Sequence, residues 1–302
     1  AFGYQALYNN TTGAANVGVG FQALYSNTIG TNNTAVGNVA LSKATTGSYN
    51  TAVGLGAMQY QTTGNTNAAF GANAMNGGTN YVVTDSTALG CDALFSIQTG
   101  ADNNVAVGRS AMRQNTVGAA NTAVGSGALQ ANTTAASNTA IGFRAMNLNT
   151  TGAYNTAVGN YCLYTNSSGG ANCAFGSGAL QNNTTGGNNN AFGGSSLGSC
   201  TTGSQNTAVG DSALYSLTTA TKNVAVGYQA GYSNVGGTGQ TGNVFVGYQS
   251  GYANTGQDNT YIGGKAAYNA GTGGGNVALG WYAGSDTSAI FNILNNSDRV
   301  VI

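Results

Sequence analysis

One motif recurs along nearly the whole chain: Asn-Thr-Ala-Val-Gly, two variable residues, then Ala-Leu. It is cleanest at Asn50–Gly54, Asn121–Gly125 and Asn206–Gly210. Its glycines stand at 3, 20, 37, 54, 71, 90, 108, 125, 142, 159, 176, 193, 210, 227, 247, 263 and 280. Of the 16 spacings between these 17 anchors, 12 are 17 residues. A unit this short cannot bury a core alone, so neighbouring units must stack on one another. The period therefore predicts a long regular object with a mechanical or adhesive task.

With the anchor glycine numbered zero, position −1 is apolar in every repeat, from Phe2, Val19 and Val36 to Leu279. Position −2 is Ala in 14 of 17 repeats, and position −3 is mostly Thr or Val. Position −4 is Asn in 15 of the 16 repeats that contain it, Ser86 being the exception. Position +3 is nearly always Ala, and +4 is Leu or Met up to Leu214. Seventeen residues are too few for two helices and a turn. The β-branched runs bounded by Gly, Asn and Thr predict two short strands per rung, over −3 to −1 and over +3 to +6. Thr-Thr-Gly corners such as Thr45–Gly47 and Thr150–Gly152 return the chain. The fold class expected is all-β: a parallel β-solenoid or β-roll with rungs of about 17 residues.

Two structural roles follow. Asn at −4 (Asn50, Asn121, Asn138, Asn155, Asn206) both donates and accepts, so stacked amides can form a ladder. The same residue type also suits a corner backbone. In this reading −1 fills the core with one neighbouring column. The Ala columns then face outward as an apolar stripe, which predicts association into a parallel homotrimer.

The chain divides into regular repeats (1–221), variant repeats with Gly or Ala at the Leu position (222–284) and a non-repeat C-terminal segment (285–302). In the variant part, +4 becomes Gly231, Gly251, Ala267 and Gly284, while −2 becomes Phe245 and Tyr261. Volume lost at one column and gained at the other predicts that −2 and +4 share a packing layer. Extra residues fall in loops at Gly77–Val83 and Gly236–Gly242. In the last segment Ala289–Leu294 reads as a strand and Asn295–Asp298 as a turn.

Little catalytic chemistry is encoded. Only 5% of residues are charged, the net charge is zero, and there is no His or Glu. No Ser-His-Asp or Cys-His set can be assembled. The seven acidic residues, all Asp, are scattered across the period. Cys91, Cys162, Cys173 and Cys200 occupy four different positions of the repeat with no CxxC pair, as expected of small packed thiols. No enzyme activity, metal site or cofactor is expected. A basic face for nucleic acid is missing, as is an apolar run long enough to cross a membrane. Aromatic residues recur at +1 and +5. Tyr228, Tyr232, Tyr248, Tyr252 and Trp281 are candidates for receptor or chain contact, against the alternative of a ladder within the rungs.

The Asn-Thr-Ala-[Val/Ile]-Gly-x-x-Ala-Leu run with Thr-Thr-Gly corners resembles the repeat region of bacteriophage tail-fibre proteins. It is also similar to the head repeats of trimeric autotransporter adhesins, which are left-handed β-rolls in homotrimers. The variant Gly227-Tyr228-Gln229-Ala230-Gly231-Tyr232-Ser233-Asn234 fits phage fibres especially well. The resemblance spans about residues 1 to 284 and carries over no catalytic residue. It implies a homotrimeric fibre shaft on a virion, partnered by other fibre proteins and by host-surface glycans or proteins. It also makes Asp298–Ile302 the approach to a chaperone domain, and the chain a piece of something longer. The alternatives are a bacterial surface adhesin or extracellular filament and, more remotely, an ice-binding solenoid. The last is weakened where Val replaces Thr at −3 (Val17, Val105, Val224, Val244, Val277).

Overall fold

The computed structural model describes residues 1–235, 242–285 and 297–302. The chain is an all-β parallel β-solenoid with rungs of about 17 residues. It comprises two compact units, Ala1–Ala153 and Tyr154–Ile302. The first holds β1 (Val17–Val19), β2 (Thr34–Val36), β3 (Thr51–Val53), β4 (Ala68–Phe70), β5 (Thr87–Leu89), β6 (Val105–Val107), β7 (Thr122–Val124) and β8 (Thr139–Ile141). The second holds β9 (Thr156–Val158), β10 (Cys173–Phe175), β11 (Asn190–Phe192), β12 (Thr207–Val209), β13 (Val224–Val226), β14 (Val244–Val246), β15 (Thr260–Ile262), β16 (Val277–Leu279) and β17 (Val300–Val301). Within each unit equivalent residues pair in register, as in Thr51↔Ala68, Ala52↔Ala69 and Val53↔Phe70.

These strands are the −3 to −1 segments, but their facing is the reverse of the expectation. Ala35, Ala52, Ala69, Ala88 and their equivalents at −2 are fully buried. The −1 and −3 side chains lie half-buried or exposed, with Phe70 at 40% and Leu89 at 47%. Alternation along a strand admits either phase. Size decides it, because the interior opposite a three-residue strand has room for Ala plus one larger side chain from elsewhere in the rung. That side chain is Leu or Met at +4 (Leu24, Leu41, Met58, Met112), packed beside Ala at +3, all fully buried. Each unit thus buries its own Ala columns, and they supply no stripe for association.

Among the described residues no strand forms over +3 to +6. Residues +2 and +4 take left-handed backbone instead, as at Gln22 (φ 51°), Leu24 (φ 53°), Ser110 (φ 58°) and Met112 (φ 48°). A strand would point +3 and +4 to opposite sides; this backbone lets both reach the core. Holding Leu there costs about 1–2 kcal/mol, which its burial, worth about 1.5–3 kcal/mol, offsets. Rung-to-rung backbone bonds continue through the turn: the Leu24 N–H donates to the Ala40 carbonyl at 3.1 Å and Gln22 N–H to Tyr4 carbonyl at 2.9 Å.

The −2/+4 exchange is present as a shared layer. Phe245 and Tyr261 are fully buried, and a Cβ placed on Gly231 would lie 2.5 Å from Phe245 Cδ2. In the long rung between Gly71 and Gly90, Tyr81 enters the core and donates its hydroxyl to the Met75 carbonyl. Residues 236–241 of the second loop, the expected strand at Ala289–Leu294, and Asn295 and Asn296 lie outside the described residues. The final residues rejoin the repeat. Arg299 takes the −4 place, its N–H donating to Asn276 Oδ1 at 3.0 Å, and Val300 and Val301 pair with Val277 and Ala278.

Candidate functional site: buried amides and exposed aromatic rows

The −4 side chains of the repeats form an internal column in each unit, asparagine throughout except for Ser86 in the first. Asn50 is fully buried, and its N–H donates to Asn33 Oδ1 at 2.9 Å. Its Nδ2 donates to the Gly64 carbonyl of the next rung at 2.8 Å, and its Oδ1 accepts the Asn67 N–H at 3.1 Å. Asn121 and Asn206 repeat the pattern, donating to Ala135 and Ala220 carbonyls at 2.9 Å each. Asn138 N–H donates to Asn121 Oδ1 at 3.0 Å, and Asn155 Nδ2 to the Gly169 carbonyl at 2.8 Å. One side chain thus satisfies backbone groups in the rungs on both sides of it. Asn121→Ala would orphan the buried Asn138 N–H and leave the Ala135 carbonyl with Asn132 as its remaining side-chain donor. The expected loss is about 1–3 kcal/mol in urea unfolding. Asn121→Ser should lose less, because Ser86 holds the same place and its Oγ accepts the Asn104 N–H at 3.1 Å.

A second amide column, at +7, was missed by the sequence reading. Asn27 Nδ2 donates to Asn10 Oδ1 at 2.6 Å, Asn132 to Asn115 at 2.7 Å and Asn183 to Asn166 at 2.8 Å. Each also caps the carbonyl three residues on, as Asn132 does with Ala135 at 3.0 Å. The signal was legible as Asn ahead of the Thr-Thr corner, at Asn132 and Asn149. Where the next rung offers Ala44 or Cys200 instead, Asn27 and Asn183 keep a buried Oδ1 without a hydrogen-bond partner.

The aromatic candidates sit on the outer surface in two rows. At +5, Tyr215, Tyr232, Tyr252 and Tyr268 stack with centroid separations of 5.3, 5.1 and 5.0 Å. At +1, Tyr228 and Tyr248 stack at 5.6 Å with planes 11° apart. Faces inside such a ladder cover one another, so the edges and hydroxyls are what a partner meets. Trp281 holds the +1 place one rung beyond Gly264: it is 69% exposed, edge-on to Tyr282 at 5.3 Å, and its ring occupies the space a side chain at Gly264 would take. Lys265 lies 5.2 to 6.0 Å from the rings of Tyr248, Tyr268 and Tyr282 and donates to the Tyr282 hydroxyl at 2.8 Å.

All four cysteines are free. Burial pushes the Cys162 and Cys200 thiols up from 9.0 to about 12, and it raises Tyr81 and Tyr261 as well. The unfolded chain gives up these thiol protons near pH 9, the native one only near 12. Stability is therefore intact below pH 9 and falls as pH rises through that window. Thermal melts at increasing pH should show this fall, and Cys162→Ala with Cys200→Ala should make it shallower.

Among the described residues no three His, Cys, Asp or Glu side chains gather as a metal site, and no helix is long and apolar enough to cross a membrane. Arg113 and Asp92 form one loose ion pair at 3.8 Å. No protein-family model matches the chain, and no curated protein matches it in sequence.

Proposed function

We propose that the chain is the structural shaft of a bacteriophage tail or virion fibre, contributing to host-cell attachment. The supporting observation is the division of labour within the rung. The −2, +3 and +4 columns that close the core hold nearly constant residues, while +1, +2 and +5 carry Tyr, Arg, Asp, Gly or Ser without disturbing the fold. Such a scaffold offers a variable surface on a nearly constant spine, which suits attachment better than turnover. The motif resemblance points to the same role. The test is immunogold electron microscopy with antibodies against this chain on phage particles and on host cells. Label along virion fibres is expected. Label confined to bacterial surface filaments would overturn the proposal in favour of an adhesin.

A further inference from the structure

The +1 column accommodates planar side chains at rung spacing. Tyr4 and Phe21 stack at 5.5 Å with planes 12° apart. Where a ring is missing at Gly264, Trp281 covers the gap. At Ser126 the gap stays open. Its +1 neighbours one rung away on either side are Arg109 and Phe143, and a groove of about 310 Å³ lies there, walled by Arg109, Ser110, Ser126, Gln130, Phe143 and Arg144. Arg109 and Phe143, two rungs apart, line this groove on either side of Ser126.

The floor is fixed by backbone bonds. Gly127 N–H donates to the Arg109 carbonyl and Arg144 N–H to the Ser126 carbonyl, both at 3.0 Å. Asn147 Nδ2 donates to the Gly127 carbonyl at 2.7 Å and to Gln130 Oε1 at 3.1 Å. Arg144 Cγ is 3.4 Å from where a Gly127 Cβ would be, so its stem lies back across the floor, with its guanidinium 5.3 Å from the Phe143 centroid. Among the described residues no carboxylate lies within ion-pair distance of Arg109 or Arg144. In a chain with only seven cationic side chains, two arginines without a carboxylate partner line one groove.

We propose that this groove binds an acidic sugar: a pyranose bearing a carboxylate, as in uronic or sialic acids. The carboxylate meets the Arg109 and Arg144 guanidiniums, whose forked donors match it. The sugar ring fills the groove against Phe143, and Ser110, Ser126 and Gln130 meet its hydroxyls. The polar rim disfavours an apolar ligand, and the lack of a longer basic track disfavours nucleic acid. This deepens the attachment role proposed above and rests on that reading for its biological setting.

The test is calorimetric titration of the full chain with oligosaccharides containing glucuronate, galacturonate or sialic acid, and with their carboxyl-reduced counterparts. At least one acidic series should bind, and its reduced form about tenfold or more weakly. Ser126→Phe should fold with an unchanged melting temperature, since +1 already holds Phe21 and Phe143, and should lose binding because its ring fills the groove. Arg144→Gln should weaken binding about tenfold. No binding by any of the three at millimolar concentration overturns the proposal. So does equal binding of a reduced form, full binding by Ser126→Phe, or tighter binding of single-stranded DNA. Sugar binding without virion label would leave the groove standing and the fibre reading fallen; virion label without sugar binding does the reverse.

Discussion

Gly108→Ala is expected to destabilise the first unit by about 2–6 kcal/mol, from about 1–3 of backbone strain and a similar overpacking term. Gly108 has φ +128°, and a Cβ there would lie 2.6 Å from both the carbonyl carbon and oxygen of Gly125. That obstacle is main chain held in register by paired rungs, so it cannot swing aside. The anchor glycine is therefore required by the approach of one rung to the next as much as by its own dihedral angle. Urea unfolding of the variant should show a sharply lowered midpoint. Ser110→Ala, two residues away at an outward position, serves as control and should stay within about 0.5 kcal/mol of wild type.

Phe245→Ala should cost about 3–5 kcal/mol, the range for emptying a buried aromatic site. Phe245 lies between two glycines, 2.5 Å (Cδ2) from a Cβ built on Gly231 and 2.5 Å (Cε1) from one on Gly251. Gly231→Leu alone should be unfavourable by about 1–3 kcal/mol, because Leu would meet the ring. Combined, the two changes recreate the ordinary pairing of Ala at −2 with Leu at +4 of the preceding rung, as in Ala208 and Leu197. The double variant should recover at least half of the Phe245→Ala loss. A double-mutant cycle in urea measures the coupling, and simple additivity would contradict the shared layer.

That layer was legible in the sequence because volume leaves one column as it enters another, a signal carried by residue size alone. The period and the strand at −3 to −1 were legible for the same reason: they are features of pattern. Facing was not. Val at −1 and Ala at −2 satisfy the same alternation, and hydropathy favours Val inside, whereas the narrow rung accepts only Ala52 or Ala123 there. The absence of a second strand was hidden because Leu24 and Met112 sit in a left-handed conformation such residues seldom adopt. The aromatic rows could be read as columns, since Tyr232 and Tyr252 share +5. The groove at Ser126 could not, because it is made by what is missing between Arg109 and Phe143 in two other rungs.

The inside-and-outside assignment of the columns is the claim on which everything else stands, and the native chain carries its own probes. Cys162 at +3 and Cys200 at +7 are buried, Cys173 at −3 is half-buried and Cys91 at +1 is exposed. The decisive measurement is the rate of thiol alkylation at each cysteine in the folded protein, resolved by peptide mass spectrometry. Cys91 should react at the rate of a free thiol and Cys173 more slowly. Cys162 and Cys200 should stay unmodified until the chain is unfolded. Alkylation of Cys162 or Cys200 in the native protein at the rate of Cys91 would contradict the account.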